Sequence, residues 1–134
     1  ILKYLHSLEE SLRRIRHMDF TIDMVLGDED IQDLLDRRMQ KAIESCIDIA
    51  VHIASQLKLP RQELVSDVFK ILSVHKVIDT TLAQKLKGAT GFRNILVHEY
   101  DFEEDNERFH TSAKQMMPSY QAYTVAILKY IQVI

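Results

Sequence analysis

The sequence contains no tryptophan, one cysteine, two prolines and three glycines in 134 residues. A lone Cys46 excludes an internal disulfide framework and fits a reducing compartment. The scarcity of glycine and proline excludes collagen-like and linker-rich designs, and neither an internal repeat nor a low-complexity tract is present. No run approaches the ~18 uninterrupted apolar residues of a membrane span. The N-terminus lacks a charged region followed by an apolar stretch and a small-residue cleavage site, so no secretory signal is expected. The chain opens at Ile1 without a methionine, so a few native residues are expected to precede it. A strong charge of one sign is also missing. The formal net charge of −3 does not advertise a nucleic-acid binder, nor exclude one, because local patches bind phosphates. There is no G-x-G-x-x-G, no Walker loop and no arrangement that argues for a Ser-His-Asp triad.

What is present is 46% hydrophobic and 28% charged, enough for one core in one domain over residues 1–134, expected to be cytoplasmic. Apolar residues recur at three- and four-residue steps, and no alternating run looks like a strand pair. Leu2, Leu5, Leu8, Leu12 and Ile15 form the stripe of a first helix, with Arg13, Arg14 and Arg16 at its end. Gly27 breaks the chain, and Asp28, Glu29 and Asp30 suit the positive end of a second helix, expected over 29–57 and stopped by Pro60. Pro60 fits the first turn of a third helix carrying Leu64, Val68, Ile71 and Leu72. Asp79, Thr80 and Thr81 read as the cap of a fourth helix running towards Tyr100. The acidic stretch from Asp101 to Glu107 leads into a fifth helix with a kink expected near Pro118. The expectation is an all-α, five-helix, up-and-down bundle.

Between Ala42 and Ala54 the second helix is apolar over about two-thirds of its circumference, more than an outer helix of a small bundle needs. Two arrangements account for it: a helix central to a monomer, or one buried against both the bundle and a second subunit. In the fourth helix, Gly88 and Gly91 each cost about 1 kcal/mol relative to alanine. Either another backbone approaches closely there, or the helix breaks.

The same helix carries the candidate chemistry. Arg93 and Tyr100 lie about 20° apart on a helical wheel, while Asn94 and His98 share a neighbouring row. Arginine offers a permanent planar cation suited to phosphate, and histidine a proton donor or acceptor near neutral pH. Those are the groups that cleaving RNA without a metal requires. One of each is a thin set, and a twofold dimer would place two of each around one groove. On spacing alone, a salt-bridged or hydrogen-bonded surface pair is the commoner use of such residues.

The run G-F-R-N-I-L-V-H-E-Y, Gly91 to Tyr100, resembles the R-x-x-x-x-H-x-Y form of the HEPN motif found in HepT toxins, the partners of MntA-type nucleotidyltransferase antitoxins. The resemblance extends to E-S-C-I-D-I-A-V-H-I, Glu44 to Ile53, and to the five-helix layout over essentially the whole chain. It implies a HEPN-type homodimer acting as a metal-independent endoribonuclease on RNA, with no cofactor and a composite cleft between two copies. Carried over by position, Arg93 and His98 would be catalytic, Asn94 would support their geometry, and the Tyr100 hydroxyl would accept AMP from the antitoxin. The added phosphodiester charge and base would then repel and block RNA. The acids Glu103, Glu104 and Asp105 depart from what an RNA-binding edge would carry, and capping of the fifth helix is the simpler role for them.

Glu44, Asp48 and His52 form an i, i+4, i+8 row, but one histidine and two carboxylates on one helix are a weak metal signal, and no metal site is expected. His6, His17, His75 and His110 share no ligand spacing. Cys46 falls on the apolar side of its helix as a small hydrophobe. Tyr120, Tyr123 and Tyr130 have the spacing of core or interface packing. Arg13, Arg14, Arg16, Arg37, Arg38, Lys41, Lys85 and Lys87 are the basic clusters able to grip an RNA backbone, against a commoner role in salt bridges with the abundant acids. The alternative to a ribonuclease is a catalytically silent HEPN-like module that binds a nucleotide or regulates a nucleotidyltransferase. A plain helical dimerisation domain is the third reading.

Overall fold

A computed structural model of the chain describes residues 1–18, 27–59, 67–98 and 104–133, excepting the side chains of 91–98, 104–110, 112 and 133. Five helices and no strand occur among the described residues: α1 (Leu2–His17), α2 (Glu29–Gln56), α3 (Val68–Val74), α4 (Thr80–His98) and α5 (Glu104–Val133). Among them no helix is long and apolar enough to cross a membrane.

Each boundary has a local cause. Asp28 caps α2, its Oδ1 accepting from the amides of Asp30 at 2.9 Å and Ile31 at 3.4 Å. Asp79 does the same for α4, accepting the Leu82 amide at 2.7 Å. Both α2 and α3 end in Schellman motifs. At the first, Leu59 donates to the Ala54 carbonyl and Lys58 to that of Ser55. At the second, Val77 donates to Leu72 and Lys76 to Ser73. Lys58 (φ 57°) and Lys76 (φ 61°) hold the left-handed positions that glycine usually takes. The described part of the third helix starts at Val68; its expected entry at Pro60 and its residue Leu64 lie outside the described residues. α4 runs unbroken through Gly88 and Gly91, which overturns a helix break there. α5 continues through Pro118 as one helix, as the sequence reading has it.

α2 touches all four other helices. Its broad apolar face is therefore largely used within the protomer: Leu35, Met39, Ala42, Ile43, Cys46, Ile49, Ala50 and Ile53 are buried, while Val51 stays 51% exposed. This is the central-helix arrangement. α1 lies antiparallel to α2, as three contacts along the pair show. Arg38 Nη1 donates to the Arg14 carbonyl at 3.0 Å, the Ser45 hydroxyl donates to that of Ser7 at 3.3 Å, and the rings of Tyr4 and His52 meet edge-on at 6.3 Å. Tyr120 and Tyr123 are core residues, and Tyr130 packs half-buried against that core.

Candidate functional site

The last two turns of α4 hold Arg93, Asn94 and His98, all helical in backbone; their side chains, and Tyr100 altogether, lie outside the described residues. Their register is nevertheless fixed by the helix. Leu82, Ala83, Leu86, Ala89 and Thr90 are the buried stripe of α4. At about 100° per residue, the backbone position of Arg93 is in helical register with Leu86, and that of His98 with Thr80. Arg93 and His98 are thus about 140° apart around the axis and about 7.5 Å apart along it. Asn94 falls between them. The helix brings the three into one short segment but gives Arg93 and His98 different sides of it.

Thr90, one turn before Arg93, was not singled out from sequence. It is 4% exposed, and its hydroxyl donates to the Leu86 carbonyl at 3.1 Å, a back-bond that lets a polar side chain sit in the core. The signal available was its place in the apolar stripe. Gly88 is exposed, and a Cβ built on it would meet nothing within 4 Å, so no close approach inside the protomer explains this glycine.

The other candidates resolve plainly. Glu44, Asp48 and His52 are exposed, and no group of three potential metal ligands occurs among the described residues. Cys46 is fully buried, and burial holds its thiol well above the ordinary range. His6, His17 and His75 are exposed, and the His110 side chain is outside the described residues. Among the basic residues, Arg13 and Arg14 share Glu10 at 2.8 and 3.7 Å, and Lys87 reaches Asp67 at 3.8 Å. The Arg13 guanidinium, bonded to Glu10, lowers that carboxyl below its usual range. Among the described residues Arg16, Arg37 and Lys41 have no ion pair within 4 Å. Two open grooves flank α5: one of about 450 Å³ against α1, lined by His6, Glu9, Glu10, Arg13 and Arg16 among others, and one of about 850 Å³ against the α3–α4 turn, lined by Lys76, Asp79, Leu82 and Lys129 among others.

The model of the family described as ribonuclease HepT-like matches residues 2–127. The chain is similar to the mRNA nuclease HepT of Shewanella oneidensis, 31% identical over 100 residues that span 75% of each protein. It is also similar to the tRNA nuclease HepT of Aphanizomenon flos-aquae, 31% identical over 91 residues, 68% of this chain and 62% of that one. The fold matches that of a tri-AMPylated Shewanella oneidensis HEPN toxin solved in complex with MNT antitoxin, with a TM-score of 0.86 and 24% identity over 96% of both chains.

Proposed function

The chain belongs to the ribonuclease HepT-like family, and on that premise we propose that it is a metal-independent endoribonuclease, the toxin of a toxin–antitoxin pair acting in the cytoplasm. The observation that carries the reading is the 31% identity to an mRNA nuclease across three-quarters of both chains, joined to an Arg93–His98 pair on a continuous helix.

In this reading one domain over residues 1–134 dimerises so that two copies of α4 border one cleft. The 140° between Arg93 and His98 supports two copies, because each can then present one residue of a facing pair. Catalysis needs no more than these groups supply. A base removes the ribose 2′-OH proton, the 2′-oxygen attacks phosphorus, and the P–O5′ bond breaks as an acid protonates the departing 5′-oxygen. His98 moves the proton, Arg93 stabilises charge growing on the phosphoryl oxygens, and Asn94 supports their geometry. The products are a 2′,3′-cyclic phosphate and a 5′-hydroxyl. An MntA-type nucleotidyltransferase antitoxin silences the site by transferring AMP to the Tyr100 hydroxyl, a role supported by the tri-AMPylated state of the Shewanella oneidensis toxin.

The test is incubation of the purified protein with total RNA in EDTA beside a His98→Ala control. We expect fragments with 2′,3′-cyclic phosphate ends, and a loss of at least about 100-fold in the control, the usual reach of a proton-transfer group. Cleavage that requires Mg²⁺ and leaves 5′-phosphates would overturn the mechanism.

A further inference from the structure

The antiparallel pairing of α1 and α2 gathers charges that the sequence separates by more than 20 residues. The Arg38 guanidinium on the Arg14 carbonyl sets the C-terminal end of α1 beside the first half of α2. Within residues 9–17 and 33–41 six Arg and Lys side chains face only four carboxylates, in a chain whose net charge is −3. The carboxylates are unevenly free to neutralise the cations. Glu10 is shared by Arg13 and Arg14, and the Asp36 carboxylate is half-buried and accepts from Gln40 at 3.0 Å. Glu9 and Asp33 are the remaining acids. Arg16, Arg37 and Lys41 are exposed and have no ion pair among the described residues. Arg13 and Arg16 also line the groove of about 450 Å³ between α1 and α5, together with Glu9 and Glu10, so the basic band on α1 and α2 borders that groove without making it basic throughout.

We propose that this band holds the phosphate backbone of the RNA substrate at a distance from the reacting bond. The inference rests on the ribonuclease reading above. Exposed arginines without carboxylate partners suit phosphate oxygens, which accept their paired donors, and binding there releases counterions from the RNA. The band lies on α1 and α2, whereas the reacting groups are assigned to α4, so it acts on affinity and not on the chemical step. Contacts made equally in ground and transition states change KM and leave kcat alone. The compensation of the α1 helix dipole by its C-terminal arginines, a sufficient reason for Arg14 and Arg16, gives no reason for Arg37 and Lys41 on the neighbouring helix.

The experiment compares the full chain with an Arg16→Gln/Arg37→Gln double variant, in the parent for cleavage and in a His98→Ala background for binding of a labelled single-stranded RNA. Both side chains are exposed and make no ion pair among the described residues, so thermal melting should not change. We expect KM to rise about tenfold with kcat within twofold, and the slope of log K against log salt to become shallower by about 1.4, two contacts at ~0.7 each. Unchanged RNA affinity and salt slope would overturn the proposal, as would a parent that binds no RNA. A parent that cleaves RNA while the double variant behaves identically refutes the band and leaves the ribonuclease reading standing. Arginine-dependent binding by a parent that does not cleave does the reverse.

Discussion

Tyr123 makes two directed contacts from the middle of the core. Its hydroxyl donates to the Cys46 carbonyl at 2.9 Å, and its ring meets Phe69 edge-on at 6.0 Å and 84°. Burial, with Cys46 adding to it, raises the hydroxyls of both Tyr120 and Tyr123 well above the usual tyrosine value. A folded-state value above the unfolded one near ~10 means that their contribution to stability is complete below that pH and lost as pH climbs beyond it. In an alkaline titration followed by near-ultraviolet absorbance, these two should stay protonated beyond pH ~10 and should ionise only as circular dichroism reports unfolding. Smooth ionisation of all five tyrosines near pH 10 would contradict this. Cys46, Tyr120 and Tyr123 were legible in the sequence because each sits on an apolar arc whose period matches its helix. Thr90 was not, since residue type marks it as polar and only its back-bond to Leu86 explains its burial. Arg93 was legible as a residue of interest, but its register relative to Leu86 gains meaning only once the side of α4 that the bundle covers is known.

At the level of elements, Asp79 was signalled as a cap and Asp28 as one of the acids at the start of α2, and each has a measurable weight. Asp28→Ala should cost about 1 kcal/mol of unfolding free energy by removing the acceptor for two amides at the start of α2, read by urea denaturation. The full use of α2 by four neighbours was not legible, because a wide apolar arc says how much is buried and not by what. Gly88 is the converse case: sequence flagged its cost, and the protomer offers no steric reason for it. Within one protomer Gly88→Ala should therefore not lower the melting temperature, and the gain in helix propensity is about 1 kcal/mol. If the proposed dimer brings α4 against its copy, the added methyl should shift light-scattering mass from dimer towards monomer. A variant that remains dimeric would move the interface away from this part of α4.

For the molecule as a whole, the family match over residues 2–127 and the all-helical order of elements agree with what the Gly91–Tyr100 motif implied. What the sequence motif leaves to experiment is the switch. Tyr100→Phe should remain folded, keep most of its ribonuclease activity and escape inactivation when incubated with the nucleotidyltransferase and ATP, with no adenylyl mass by mass spectrometry. Equal adenylylation of the Phe variant and the parent would place the acceptor elsewhere. The burial of the one cysteine has a practical side here. Because Cys46 is fully enclosed, a cysteine introduced at an exposed position such as Lys87 or Gly88 would be the one thiol per protomer open to a spin label in the native state. A twofold assembly so labelled contains one pair of spins, and their dipolar coupling would report a single distance across the axis.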